Sequence, residues 1–350
     1  MRGLHPAAHG IVACALLIIA GMAQATTYTV RELPVEAPPS KDPYQTARSI
    51  DAQGHVLVNV QVVRKQTYFF MSERCRLQLC RQLTPRAHSN DRAETTLWFS
   101  MNDAGSTAGQ VWTGDVGWAA RRIPGQGVTY LIPGIGYDVN LDNTAVGATD
   151  DVHPFLYDTS LHLLPTPSGG KGRAYAINDH GVVAGEFYLG NGDIHPFIYE
   201  NGVSTDLTPD APRYVDGGAA DINNAGVAVG CTETKAGGPA QAVRFERGRV
   251  IPLGSLIAGT RAGTCAVAIN ESGRLVVGNG DVDPLDATKR HGFVHDDSGL
   301  HDLNDLLRPV DAMRYMIYGA MDVNDAGQIA AEAVRLSDGA WLAVRLDPAP

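Results

Sequence analysis

The stretch YAINDHGVVAGEF (Tyr175–Phe187) reads as the end of a strand, a tight turn and a second apolar run. It returns as ADINNAGVAVGCT (Ala220–Thr232), VAINESGRLVVGN (Val267–Asn279) and MDVNDAGQIAAEA (Met321–Ala333). Anchored on its asparagine, the pattern places equivalents at Asn102, Asn140, Asn178, Asn223, Asn270 and Asn324, with Asp51 as a degenerate first member. Self-similarity at a spacing of 38 to 54 residues is the mark of a repeat architecture. Three positions after the anchor stands glycine (Gly54, Gly105, Gly181, Gly226, Gly273, Gly327), except in one copy, where Asn143 takes its place. Glycine and asparagine share tolerance of left-handed backbone, so position and chemistry agree. The anchor side chain is expected to close an Asx-turn while the glycine supplies positive φ.

Outward from the turn, each unit continues with a short apolar strand, a variable loop and a third strand. The clearest third strands are HPFLYD from His153, HPFIYE from His195 and HGFVHD from His291. A last strand such as GVSTDLT follows. About four short strands per unit, seven times over, predict an all-β chain: a β-propeller, residues 26–350 forming one repeat domain of seven four-stranded blades. The final unit stops after its third strand, AWLAVRLD, while TYTVREL (Thr27–Leu33) stands alone near the other end. That segment is expected to supply the missing fourth strand and close the ring.

The paired phrases A-I-N-D-x-G and H-x-F resemble the HAF family of probable extracellular repeats. The matches are Ala176–Gly185 with His195–Phe197, Ala268–Gly278 with His291–Phe293, and Asp138–Gly147 with His153–Phe155. This resemblance implies export and a propeller-like fold, and no established activity. Four units lack the histidine, so no shared histidine chemistry follows. Each histidine is expected to hydrogen-bond a neighbouring blade's turn.

Composition is compatible with this reading: 39 glycines and 20 prolines give frequent turns, with 44% hydrophobic and 19% charged residues. A net charge of −10 with scattered basic residues gives no footprint for nucleic acid. Residues 1–25 have the form of a signal peptide, with Arg2, an apolar run from Ile11 to Gly21 and Ala23-Gln24-Ala25 before the cleavage point. The chain is therefore expected in the periplasm or outside the cell, with no membrane span after cleavage. Four cysteines then remain, and the expected pairs are Cys75–Cys80 as a hairpin clasp and Cys231–Cys265 between neighbouring units.

Chemistry-bearing motifs are sparse. D-x-N-x-x-G matches the first part of a calcium loop, but Asp221-x-Asn223 and Asp322-x-Asn324 lack the later ligands, including the bidentate glutamate. No nucleophile elbow or comparable catalytic signature is present. No cofactor or metal is expected. The reading is a binding module for a glycan or protein, with a polysaccharide hydrolase or lyase as alternative. The expected ligand rim combines Trp112 and Trp118 with Asp281, Asp283, Asp286 and Arg290, on the long loops Leu189–Ile194, Thr232–Gln241 and Asn279–Arg290. Two or more Asp, Glu, His or Tyr side chains converging in one central pocket would favour the enzyme, and a channel lined by small and apolar side chains, with features confined to the rim, would favour binding.

Overall fold

The computed structural model describes residues 26–35, 44–64, 67–83, 95–209, 214–234, 238–257, 262–286 and 288–349. The signal segment expected at 1–25 lies outside them. The regular structure of the described residues is strand, with one short helix, Pro309–Ala312. No helix among the described residues is long and apolar enough to cross a membrane.

The strands pair as antiparallel meanders in chain order. Gln45–Ile50, Val56–Arg64, Thr67–Arg76 and Leu79–Gln82 make the first. Thr95–Met101, Thr107–Thr113 and Val116–Ile123 continue into the long strand Gly127–Val139, whose far half opens the next meander with Ala145–Thr149, Pro154–Tyr157 and Leu161–Leu163. Gly172–Ile177, Val183–Tyr188, Ile194–Glu200 and Val203–Asp206 follow. Then come Tyr214–Ile222, Ala228–Thr234, Gln241–Glu246 and Arg249–Gly254, and after them Thr264–Ile269, Val276–Asp281, Arg290–Asp296 and Gly299–Asp302. The last three strands are Tyr315–Val323, Ile329–Arg335 and Trp341–Pro348. Tyr28–Glu32 pairs antiparallel with the final one, Val30 opposite Leu346. The segment left alone in the sequence thus finds its partner some 300 residues away in the chain.

The turn works as its residues require. Asn178 Oδ1 accepts the N–H groups of His180 and Val182 at 3.0 and 2.9 Å. Every glycine of the pattern has φ between 69° and 79°, and Asn143 has 62°. The amide's other end does something the local pattern does not reveal. Asn102 Nδ2 donates to the carbonyl of Asn140, Asn140 to Asn178, Asn178 to Asn223 and Asn223 to Asn270. Asn324 donates to Asp51, at 3.0 Å. One side chain therefore closes its own turn and holds the next. Asn270 is the exception, turning its amide to Ser272 Oγ.

The units are packed in two chemical styles. Where the third strand carries H-x-F, Phe155, Phe197 and Phe293 are fully buried, and each contributes roughly 1.5–3 kcal/mol. The next position is aliphatic: Leu156, Ile198, Val294. In three of the four units lacking that phrase, Arg121, Arg244 and Arg345 occupy this position and donate to Asn143, Gly273 and Gly54, the left-handed residue of the following turn, while in the first unit Arg74 stands there and donates to Asp51. The histidines differ from expectation. His195 Nδ1 lies 2.9 Å from Asp206 Oδ2 and His291 Nδ1 2.6 Å from Asp302 Oδ2, both on the fourth strand of their own meander. The hairpin geometry brings these residues together, because Phe197 and Phe293 face those same aspartates across the ladder.

Both disulfides are present. Cys75–Cys80 joins directly opposed residues of one hairpin, and Cys231–Cys265 joins the second strand of one meander to the innermost strand of the next.

Candidate functional site

A β-bulge recurs in each innermost strand, three residues before the anchor. The residues skipped by the ladder are Arg48, Phe99, Tyr137, Tyr175, Ala220, Val267 and Met321. An unpaired residue re-aims its side chain, and bulges concentrate near sites for that reason. Here they form a belt of uneven bulk. Arg48 lies 5.5 Å over the Phe99 ring, Phe99 is 6.2 Å from Tyr137, and Tyr137 is 5.1 Å from Tyr175 at 68°. Beyond Tyr175 the belt drops to Ala220 and Val267.

At the turn end of the inner strands is a cavity of about 390 Å³ to which every copy of the repeat contributes. Its wall holds Asp103, Asp138, Asp179, Asp221, Glu271, Asp322 and Asp325, without a Lys, Arg or His among the described residues. These carboxylates are already engaged. Asp138 accepts the N–H of Ile177 at 2.8 Å, Asp221 that of Ile269 at 2.8 Å, and Asp322 that of Ile50 at 2.7 Å, each reaching from one unit to the next. Nearer the mouth, Asp103, Asp179, Glu271 and Asp325 accept N–H groups of Ala52, Leu141, Asn224 and Ser272. Burial is the first cause that raises the deep carboxyls, Asp221 to about 8 and Asp322 to about 6, with mutual repulsion adding to Asp221. The D-x-N phrase that suggests calcium is thus a hydrogen-bonding staple. Among the described residues, one group of three His, Cys, Asp or Glu has ligand atoms within 4.8 Å of one another: Glu73, Cys75 and Cys80, whose cysteines are disulfide-bonded.

At the opposite, loop end lies a cavity of about 360 Å³. Tyr175 and Glu186 form one wall, Val267 and the Cys231–Cys265 disulfide another, and Gly217, Gly218 and Ala220 the floor. The floor is low because the innermost strand is cut back to hydrogen. A Cβ on Gly218 would meet Glu186 Oε2 at 3.4 Å, and Glu186 Cβ and Tyr175 Cε2 at 3.8 Å, ordinary contact distances. Glycine in a strand at such a place leaves room for another group to approach the backbone. Arg173 is held by Glu186 Oε1 and Tyr188 OH, both at 2.5 Å. Burial, followed by the charge of Glu186, pushes the Tyr175 phenol far up, so it stays neutral. Thr232 is 1% exposed and its hydroxyl has no hydrogen-bond partner, an uncommon condition for a buried polar atom.

Two of the long loops expected to form the rim contribute here, through Ile194 and through Thr232, Glu233 and Ala240. The individually named rim residues do not line this cavity. Trp118 packs edge-on against Tyr130 at 6.5 Å, on outer strands, and Trp112 is half-buried at the end of its strand. Asp281 accepts the Gly263 N–H at 2.9 Å and lies 3.4 Å from Arg290. Asp283 is 2.8 Å from Lys289 Nζ, which holds its carboxyl below the usual range, and Asp286 accepts from Thr288. The sequence does carry a signal for the cavity: the adjacent glycines in YVDGGAAD, where the other units have at most one glycine at these two positions (Gly134, Gly172, Gly319).

Comparisons with solved structures place this fold. The chain is similar to the β-propeller domain of the Trilobed protease from Pyrococcus furiosus, at 12% identity and TM-score 0.55, over 87% of this chain and 98% of that one. It is also similar to an oligogalacturonate lyase solved in complex with manganese, at 14% identity and TM-score 0.51, over 93% and 96%. The fold is that of β-propeller domains. No protein-family model matches the chain, and no curated protein matches its sequence.

Proposed function

We propose that this chain is an exported, closed seven-bladed propeller that binds a glycan in the loop-end cavity. Seven turns with their meanders support a count of seven blades, and the pairing of Tyr28–Glu32 with Trp341–Pro348 and the Asn324–Asp51 hydrogen bond support closure. Two disulfides fit an oxidising compartment, in agreement with the signal-like first 25 residues and the HAF resemblance. The binding reading rests on one observation: an aromatic belt that ends at Tyr175 beside a glycine-floored cavity rimmed by carboxylates. Aromatic faces pack against the apolar faces of sugar rings, while carboxylates accept their hydroxyls. The cavity lies within the volume range of small-molecule sites, about 300–1,000 Å³.

The test is a glycan and peptide array with purified chain 26–350 and its Gly218→Leu variant. The expected result is a glycan class bound by the parent and lost in the variant, with little change in Tm. Undiminished binding by the variant, or binding of peptides alone, overturns the reading. A second reading, a polysaccharide hydrolase or lyase, is favoured by the convergence of Tyr175, Glu186, Asp216 and Glu233 in one cavity. It requires that the bound glycan be cleaved and that Glu186→Gln retain binding while losing turnover. An intact glycan after prolonged incubation excludes it.

A further inference from the structure

Resting on the glycan reading above, we infer that the glycan carries one uronic acid residue in an otherwise neutral chain, and that Arg48 binds its carboxylate. Arg48 stands at the opposite end of the aromatic belt from Tyr175. Its Nε is sealed from solvent without a hydrogen-bond partner, and its two Nη groups have none either among the described residues. The residue is half-buried and only Nε is sealed, so the Nη groups are open to a ligand. The Phe99 ring, 5.5 Å from the guanidinium carbon, offsets part of the cost of burying the charge but satisfies none of the five N–H donors. Glu332 and the Tyr44 phenol act on Arg48 through space, and neither forms an ion pair or hydrogen bond with it. Other arginines of the fold are spent: Arg121, Arg173, Arg244 and Arg345 all donate to groups of the chain itself. A buried donor left over in this way calls for an acceptor from outside.

A guanidinium fork matches the two oxygens of a carboxylate. Aromatic surface for the ring lies beside it, since Trp341 is 6.2 Å from Tyr44 and 4.8 Å from Tyr318, and Tyr44 is 43% exposed. Glu332 offers an acceptor for a hydroxyl of the same sugar, and its charge disfavours a doubly charged phosphate ester. Carboxylates on every residue of the glycan are disfavoured by the other end of the belt. There Glu186, Asp216 and Glu233 line the loop-end cavity, with no Lys, Arg or His among its described lining residues. Neutral rings belong in that cavity, and the single acid belongs at Arg48.

The experiment is calorimetric titration with neutral oligosaccharides ending in one glucuronic acid, the same compounds methyl-esterified, and an oligogalacturonide charged on every residue. The proteins are the parent, Arg48→Gln and Arg48→Lys. The expected result is at least a roughly tenfold preference of the parent for the free acid over its ester, the scale of a hydrogen bond to a charged group. Arg48→Gln is expected to lose the preference while still binding the ester, and to melt no lower than the parent, because the group it removes has no partner in the fold. Arg48→Lys keeps the charge without the fork and is expected to retain part of the preference. Equal or tighter binding of the ester or of the oligogalacturonide overturns the inference. So do a preference that survives in Arg48→Gln, a marked loss of stability in that variant, and failure of all three sugars to bind. In each of these cases the glycan reading is judged separately, by the array and its Gly218→Leu variant. Binding of no glycan on the array, or displacement of the sugar by a peptide with a free C-terminal carboxylate and higher affinity, overturns both.

Discussion

The two ends of the inner strands hold similar side chains in opposite circumstances. At the turn end, seven carboxylates surround a cavity, yet each accepts a backbone N–H from a neighbouring unit. At the loop end fewer carboxylates are present, but Glu233 has no partner among the described residues and the Arg48 guanidinium has no hydrogen-bond partner among them either. Abundance of acidic groups is therefore a poor guide to a site. What separates assembly from recognition is whether the hydrogen-bonding capacity of the groups is spent. The repeating end joins the units, and the end that departs from the repeat keeps capacity for something else.

The largest effect is expected where the ends are hardest to separate, at the disulfide that forms a wall of the loop-end cavity. Replacing Cys231 and Cys265 together by serine releases a link across 34 residues, with an expected loss of about 4 kcal/mol. The same change at Cys75 and Cys80, five residues apart, is expected to cost about 2 kcal/mol. Chemical denaturation under non-reducing conditions checks the order, and only the first pair should also weaken ligand binding. If both double variants bind as the parent does, the disulfide is not part of the site wall in any functional sense.

Asp221→Ala is the next largest. It strands the Ile222 and Ile269 N–H groups, at roughly 1–3 kcal/mol for each donor left without water, and should leave ligand affinity unchanged. The pH dependence has a definite sign. Burial holds Asp221 at about 8 and Asp322 at about 6 in the fold, above the unfolded value of about 3.9. A group raised on folding gives stability that is complete below its unfolded pKa and lost as pH climbs through the folded one. Unfolding free energy should therefore decline from about pH 4 to about pH 8, with Asp322 finishing near 6. Asp221→Asn is expected to flatten the upper part of that decline. A stability profile that rises through this window contradicts the assignment.

Much of the architecture is legible in the sequence because it is local. The Asn178–Gly181 turn, the positive φ at Asn143 and the clasp at Cys75–Cys80 depend on residues a few positions apart. Even the partner of Tyr28–Glu32 can be inferred by counting strands, since the last unit is one short. What local spacing does not carry is which residue of the next unit each side chain meets. Asn178 Nδ2 to the Asn223 carbonyl, Asp138 to Ile177 and Arg244 to Gly273 all cross between units separated by loops of different length. The cavity is hidden for another reason. A bulge interrupts strict alternation at Tyr175 and Ala220, so counting by twos assigns their faces wrongly.

The smallest expected effect is the one that best separates the two ends. Gly218→Ala adds a single methyl at ordinary contact distance from Glu186 and Tyr175, in backbone that needs no left-handed φ. Restricting the unfolded chain favours the fold by about 0.4–1 kcal/mol at such a position, so stability should hold or rise slightly. The methyl nevertheless occupies the cavity floor, and ligand affinity should fall. Gly230→Ala, on the adjacent strand, is the contrasting change. Its methyl would collide with the Gly218 carbonyl and the backbone of Ala219, so it should destabilise the fold before binding can be measured. Thermal melts and titrations of the two variants together decide the matter. If Gly218→Ala melts well below the parent, the glycine is there for packing rather than for room, and the loop end is no freer than the turn end.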